Sequence, residues 1–248
     1  MNKKAICILS KCANNIIFSF AEKLKNDKYD IFICIDDNDC KIPEYNVEKI
    51  TVIQIYNNES EKDGFTGSVV YTLDRACSRD KALYYFCIKN TKYDYIWFLE
   101  DDVFIPTIHT ISNLDDKYLE GDLLSSFNEI KLSENDNRHH WQHWFRNKNK
   151  IIFPWAHSMI SAIRFSKVLL QFILKFVKVN KFLLFDELLF NTIALQNNLH
   201  IINPIELSNI IFSFRDLELK EINPLYLYHP IKNCSTHEKL RKPNVKQN

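Results

Sequence analysis

The chain has 248 residues, 46% of them hydrophobic, so it can bury the core of one large α/β domain or of two small ones. Its 32 Lys and Arg residues nearly balance 31 Asp and Glu residues, and the formal charge of +1 excludes a global field that would attract nucleic acid or an acidic membrane. We therefore expect one domain and no nucleic-acid partner.

The first hundred residues alternate between strand and helix patterns. Apolar runs predict strands at 5–10, 29–39 and 50–56, and helical periodicity predicts helices at 14–26 and 74–90. Strands that are buried on both faces have nearly continuous apolar runs of this kind. The pattern therefore predicts a mostly parallel, Rossmann-like sheet that is covered by helices, within one α/β domain spanning residues 1–230.

The second half of the chain is less regular. A strand is predicted at 122–126, helices at 165–179 and 185–198, and a late strand in "LHIINP". The segment 231–248 is basic and polar, and we expect it to be a partly disordered tail. The helix at 165–179 carries lysines and could lie on a membrane surface, but its apolar residues cover most of its circumference. We therefore favour a buried helix, and membrane contact stays possible but not favoured.

The cysteines point to a reducing compartment. They form no C-x-x-C pair, and several lie in apolar runs where a buried thiol packs well, at positions 7, 12, 34, 40, 77, 87 and 234. The N-terminal apolar run of about five residues is too short for a signal peptide. No run approaches the roughly 18 apolar residues of a membrane span. We therefore predict a cytoplasmic protein.

The stretch "YDYIWFLEDDVFIP" brings three carboxylates, Glu100, Asp101 and Asp102, to the end of an apolar strand. The chain's three glycines form neither a dinucleotide-binding fingerprint nor a Walker A loop. Ligands of open α/β sheets bind beyond the carboxyl ends of strands, where "CIDDND" and "FLEDDV" both place acids. Because alternate strand residues share a face, Glu100 and Asp102 point one way and can hold Mg²⁺ or Mn²⁺. Solvated acids or a helix cap are the alternative interpretation.

The order of these motifs resembles the GT-A fold of nucleotide-sugar glycosyltransferases. "IFICIDDND" and "RDKALYYFCIKNTKYDYIWFLEDDV" resemble the family 2 pattern of an Asp pair, a following Arg or Lys, and a D-x-D motif. "FLEDDV" is also similar to the motif of the lipopolysaccharide and collagen galactosyltransferase family. The resemblance covers residues 5–230. It implies a transferase that uses a nucleotide-diphosphate sugar, a glycan or other hydroxyl acceptor, and Mn²⁺ or Mg²⁺.

The resemblance also implies roles for individual residues. Asp36 or Asp37 faces the base or ribose of the donor, and Arg79 and Lys81 lie near its base or diphosphate. Asp102 holds the metal with Glu100 or Asp101, because Glu100 stands where the motif normally has Asp. The acids around Asp36 and the cations Arg79 and Lys81 are also compatible with ordinary solvated surfaces.

Two late motifs complete the expected site. In "FDELLF", Asp186 or Glu187 stands where an inverting GT-A enzyme has its general base, although acids at a helix start also stabilise the helix dipole. In "YHPIK", the resemblance implies that His229 is a metal ligand and that Lys232 approaches the diphosphate. As the general base, we favour Asp186 slightly over Glu187.

The segment "HHWQHWF" lacks partners with zinc-site spacing, so we interpret Trp141, Trp144 and Trp155 as walls of an acceptor-sugar site or as core residues. Two other classes of function remain open, one enzymatic and one non-catalytic. Clustered carboxylates also suit a nucleotidyltransferase or a metal-dependent phosphohydrolase, and a non-catalytic scaffold of the same fold could bind glycans.

Overall fold

A seven-stranded mixed sheet forms the centre of the computed structural model, which describes residues 2–42, 50–69, 75–213, 217–232 and 234–241. In chain order its strands are β1 (Lys4–Ser10), β2 (Tyr29–Ile35), β3 (Ile50–Ile53), β4 (Tyr95–Glu100), β5 (Leu123–Leu124), β8 (Ala162–Ser166) and β9 (Ile201–Ile202). Two short pairs lie outside it: β6 (Glu129–Lys131) with β7 (Trp155–His157), and β10 (Asn209–Ile210) with β11 (Tyr228–His229).

The strand order is β3-β2-β1-β4-β8-β5-β9. β1 pairs in parallel with β2 and β4, so these three strands end at one edge, which we call the carboxyl edge. β8 is antiparallel to both β4 and β5. The predicted α/β class with a mostly parallel sheet is confirmed. The sequence did not predict β8, because its apolar residues run directly into the following helix.

The helices are α1 (Asn15–Leu24), α2 (Asn57–Lys62), α3 (Ser78–Tyr84), α4 (Thr110–Lys117), α5 (Lys167–Asn180), α6 (Asp186–Gln196) and α7 (Cys234–Arg241). A π-helical turn at Tyr85–Lys89 extends α3. The sequence predicted α1, α3, α5 and α6, whereas α2 and α4 are too short and polar for a clear periodic signal. Part of the predicted tail forms α7, and residues 242–248 lie outside the described part.

Strand side chains alternate between two cores, one on each face of the sheet. Cys7, Phe32 and Phe98 belong to one core, whereas Ile8 and Trp97 belong to the other. Burial on both faces explains why these strands have almost no polar residues.

Helix α5 corrects the prediction of a helix buried around most of its circumference. Leu169, Ile173 and Val177 pack into the core, while Val168 and Val179 are exposed. The helix is amphipathic, and its outer face carries lysines between apolar side chains. Among the described residues, no helix is long and apolar enough to cross a membrane.

Cys12 and Cys40 form a disulfide with a Cα–Cα distance of 5.7 Å, which contradicts the reducing compartment that the scattered cysteines predicted. It joins the loop after β1 to the loop after β2. Cys7, Cys34 and Cys87 are buried free thiols, in agreement with their apolar sequence context.

A buried carboxylate on α4 joins four adjacent strands at the opposite edge of the sheet. Asp115 accepts hydrogen bonds from Tyr29 Oη at 2.6 Å, Trp97 Nε1 at 3.0 Å and Arg164 Nη1 at 2.8 Å, and Lys4 Nζ lies 3.1 Å away. Asp115 and Arg164 are almost completely buried. A buried charge that loses its partner is strongly destabilising, so this network fixes α4 beneath the sheet.

We predict that Asp115→Ala lowers the free energy of unfolding by about 3–5 kcal/mol, because it leaves the Arg164 guanidinium buried without its charge partner. Asp116→Ala is the matched control, since Asp116 is exposed and pairs with Lys28 at the surface. The control should change stability by about 1 kcal/mol or less. Urea denaturation of both variants measures the difference, and equal losses would contradict the assignment.

Candidate active site

Backbone hydrogen bonds hold the acidic loops together at the carboxyl edge. The Asp36 amide donates to the Ser10 carbonyl at 2.9 Å, and the Asp101 amide donates to the Leu9 carbonyl at 3.1 Å. These bonds continue the pairing of β1 with β2 and with β4 beyond the last strand residues. The sheet register therefore brings both acidic segments next to the end of β1.

The three acids that end β4 point in different directions. Glu100 and Asp102 face the imidazole of His229, whereas Asp101 accepts a hydrogen bond from Ser10 Oγ at 2.6 Å. Burial raises the pKa of Asp101, and the Ser10 hydrogen bond acts in the opposite direction. The alternation along the strand thus gives one pair of carboxylates that can act together, as the sequence indicated.

His229 is positioned by β11, whose pairing with β10 places Ile210 opposite it. Its Nδ1 lies 2.7 Å from the Ile211 carbonyl, which can only accept, so Nδ1 carries a proton. Its Nε2 then points to Glu100 Oε2 at 3.4 Å and to Asp102 Oδ1 at 3.3 Å. The Ile231 amide donates to the Asp102 carbonyl at 2.8 Å and fixes the chain after the histidine.

These three side chains fit a divalent cation. Glu100, Asp102 and His229 offer ligand atoms that all lie within 4.8 Å of one another, and they are the only such group among the described residues. Asp102 Oδ1 is buried 3.3 Å from His229 Nε2, and among the described residues no other group donates a hydrogen bond to it. Two carboxylate oxygens and one imidazole nitrogen suit Mn²⁺ or Mg²⁺ with further oxygen ligands from solvent or phosphate.

The charges of this cluster depend on one another. Burial acts to raise the pKa of Glu100, but hydrogen bonds from His229 and Arg79 prevail and lower it to about 2. Burial lowers the pKa of His229, but the adjacent Asp102 and Glu100 carboxylates prevail and raise it to about 9. Glu100 is therefore ionised at neutral pH.

Arg79 lies behind the cluster and is buried. Its Nη2 donates to Glu100 Oε1 at 2.6 Å, and its Nη1 donates to Asp186 Oδ2. The sequence placed Arg79 near the donor base or diphosphate, whereas the structure shows its guanidinium bridging two carboxylates. Contact with a donor remains a prediction for this residue.

The other residues predicted to contact the donor surround the loop after β2. Lys81 is completely buried, and its Nζ donates to the Asp36 carbonyl and to Asn38 Oδ1, at 2.9 Å for the latter. Asp36 is half-buried, and burial raises its pKa. The Asp37 carboxylate accepts from the Asp39 amide at 2.9 Å. Lys81 thus supports this loop from below, and Lys232 is exposed beside the Asp102 segment.

The two acids at the start of α6 have different surroundings. Asp186 is buried, bonded to Arg79, and accepts from the Glu187 amide at 2.9 Å. Burial raises the pKa of Asp186 to about 6, although Arg79 opposes the change. Burial and the neighbouring Asp186 raise the pKa of Glu187 to about 7. No cation among the described residues forms a hydrogen bond with Glu187, and Glu187 lines a cavity, so it is more accessible than Asp186.

This cavity of about 710 Å³ lies between Glu187 and the strand that supports His229. Its lining includes Phe127, Trp141, His157, Glu187, Ile210 and Ile211. Trp141 stacks on the His157 ring with a centroid distance of 3.9 Å. Burial lowers the pKa of His157 to about 4, although Glu129 at 2.7 Å from its Nε2 opposes the change. We call this the aromatic cavity.

Only one of the three tryptophans that the sequence singled out lines this cavity. Trp144 and Trp155 are buried behind Trp141 and pack with Phe185 and Leu188. The sequence missed His157 and Glu129, because they meet only through the antiparallel pairing of β6 with β7.

A comparison with solved structures found a crystal structure of an active-site mutant of LgtC, a GT-A glycosyltransferase. The match covers 96% of this chain and 94% of that chain, with 11% sequence identity and a TM-score of 0.49. No family model matches the chain, and no curated protein matches it.

We predict that the full chain binds Mn²⁺ and that Asp102→Asn weakens this binding by about 10-fold or more. Losing the charge of a ligand should cost at least as much affinity as losing a residue that only orients a ligand. Asp101→Asn is the control, since its carboxylate is turned toward Ser10 and away from the cluster. Titration of Mn²⁺ followed by electron paramagnetic resonance measures both affinities. Equal affinities in the two variants would place the ion elsewhere.

Proposed function

We propose that the protein is a metal-dependent glycosyltransferase that moves a sugar from a nucleotide-diphosphate sugar to an acceptor hydroxyl. The observation that carries the proposal is the Glu100, Asp102 and His229 cluster at the carboxyl edge of an α/β sheet. Ligands of such sheets bind beyond this edge, and the aromatic cavity beside the cluster provides space for an acceptor.

Glu100, Asp102 and His229 would hold Mn²⁺ or Mg²⁺, which when bound offsets the charge of the diphosphate and stabilises it as a leaving group. Asp36 and Asp37 lie just beyond the end of β2, which β1 separates from β4, and a donor's base or ribose can meet their oxygens there. Lys232 is exposed next to the cluster, and its ammonium group can reach a phosphate.

Glu187 is our candidate for the general base, in place of the slight preference for Asp186 that the sequence suggested. Asp186 is already bonded to Arg79, and its carboxylate is buried. The Glu187 carboxylate lines the aromatic cavity and can take the proton of an acceptor hydroxyl while that oxygen attacks the anomeric carbon. The bond between the sugar and the diphosphate breaks in the same step, so the configuration inverts.

The aromatic cavity suits the acceptor. Trp141, whose indole is stacked on His157, gives the cavity an aromatic wall against which the apolar groups of a sugar can pack. The neutral His157 and the nearby Glu129 add hydrogen-bonding groups for hydroxyls. This combination supports a glycan or another polyhydroxyl acceptor.

The direct test is donor turnover. We expect the full chain to hydrolyse or transfer from at least one nucleotide-diphosphate sugar in the presence of Mn²⁺, with loss of activity in Asp102→Asn and retention in Asp101→Asn. A screen of nucleotide sugars by thermal shift identifies the donor to use. Turnover of nucleoside triphosphates instead would support a nucleotidyltransferase or phosphohydrolase, and binding of glycans without any turnover would support a scaffold.

The pH dependence tests the assignment of the base. The base must be deprotonated to act, so kcat/KM should rise with pH to a plateau above an apparent pKa near the value of about 7 for Glu187. Arg79 opposes the rise in this pKa, while Asp186 and Glu100 add to it. Glu187→Gln should lower kcat by about 10²- to 10⁴-fold, and kcat/KM of this variant should no longer increase with pH in this range.

Asp186→Asn is the matched variant. If Asp186 supports the site only through Arg79, kcat/KM of this variant still increases with pH as in the parent protein. Its kcat should also fall less than that of Glu187→Gln. If the pH dependence of kcat/KM is lost in Asp186→Asn and retained in Glu187→Gln, Asp186 is the base and Glu187 has the supporting role.

A further inference from the structure

The basic residues of the chain are concentrated in one acid-free segment. Residues 137–185 contain nine of the 32 Lys and Arg residues and none of the 31 Asp and Glu residues. Since the whole chain carries +1, the other residues together carry −8. The near-neutral total therefore conceals a strong separation of charge.

The fold brings two parts of this segment to one surface. The loop after the 3₁₀ turn Trp144–Asn147 exposes Lys148 and Lys150, and the outer face of α5 exposes Lys175 and Lys178. Lys150 Nζ lies 5.8 Å from the ring centroid of Phe182, the residue that follows α5 by two positions, so the loop and the helix end are adjacent. We call the exposed residues at 145–152 and 175–181 the basic surface.

Large apolar side chains lie among these cations. Ile152 is 81% exposed, Val179 is 76% exposed and Phe145 is 58% exposed. A cavity of about 610 Å³, lined by Phe145, Lys150 and Ile152 among others, opens in the same loop. Exposed apolar groups that cluster in this way mark an interaction surface rather than a solvated one.

We propose that the basic surface docks the protein on an anionic lipid bilayer. Lysines attract the negatively charged head groups, and aliphatic and aromatic side chains between them enter the boundary between head groups and acyl chains. Nucleic acid shares the charge complementarity but offers no apolar layer for Ile152 and Val179. Of these cations, Lys148 has an acidic partner, Glu134, at 2.9 Å, and both side chains are exposed, so this weak pair can exchange with lipid phosphates.

Sedimentation with vesicles tests this proposal without donor or metal, so its outcome is separate from that of the transferase assay. We expect the full chain to bind vesicles of phosphatidylcholine mixed with phosphatidylglycerol, to bind phosphatidylcholine alone weakly, and to dissociate as salt increases. Lys150→Glu combined with Lys178→Glu should lower the partition coefficient by about 30-fold or more, because each lysine near such a surface contributes a factor of about 5.

Ile152→Ser combined with Val179→Ser should lower the partition coefficient by about 10-fold, through lost apolar burial. The control is Lys28→Glu combined with Lys92→Glu, which makes the same change of charge beside a different cavity. It should retain strong binding. All variants change exposed residues, and their melting temperatures should match the parent protein.

Three results would overturn the proposal: equal binding to both kinds of vesicle, unchanged binding after the serine substitutions, or an equal loss in the control. Binding of duplex DNA that needs the lysines but not Ile152 and Val179, without vesicle binding, would assign the surface to nucleic acid instead.

Discussion

The candidate site depends on the buried guanidinium of Arg79. Glu100 ends β4 and Asp186 begins α6, and Arg79 on α3 donates to both carboxylates. Two unit charges about 4 Å apart interact by about 4 kcal/mol at an effective dielectric of 20, so uncompensated acids at this edge would repel strongly. By placing one cation between them, the fold fixes the distance between the Glu100, Asp102 and His229 cluster and the start of α6. The same ion pairs leave Glu100 with one oxygen toward Arg79 and the other toward His229.

The Arg79 contact also gives the two adjacent acids of α6 different chemistry. Asp186 is held by the guanidinium and by the Glu187 amide, so its carboxylate serves the architecture of the helix start. Glu187 faces the aromatic cavity, where burial and the charge of Asp186 raise its pKa toward neutrality. A carboxylate that is ionised near neutral pH but retains proton affinity is suited to accept a proton from a hydroxyl. The two interpretations of this motif therefore fit different residues: Asp186 has the structural role at the helix start, and Glu187 is the proposed base.

The sequence predicted the parts of the fold whose signals are local. β1, β2 and β4 are buried on both faces and form long apolar runs, and the sequence shows directly that β2 and β4 lead into acidic residues. The pairing of Glu100 with Asp102 could be predicted because alternate residues of an extended chain share a face, and this geometry continues into the turn after β4. β8 was missed because it merges with α5, and the pairs of two or three residues, such as β10 with β11, are too short for any periodicity. The Cys12–Cys40 bridge and the His157–Glu129 contact depend on tertiary proximity, which spacing along the chain does not encode. The outer face of α5 was misjudged for a related reason, since the neighbours in the fold decide which side of a mostly apolar helix is covered.

The basic surface and the candidate catalytic residues meet in one aromatic cluster. Trp144 and Trp155 line the cavity in the basic surface, and they pack against Phe185, the residue immediately before Asp186 and Glu187. Trp141 packs on the same cluster from the side of the aromatic cavity. Because buried aromatic rings interdigitate at nearly crystalline density, a displacement of the surface loop can be transmitted to the start of α6 with little loss. On the two proposals together, an acceptor carried by a bilayer would approach from the side of the basic surface, and the nucleotide sugar would bind at the carboxyl edge beside His229.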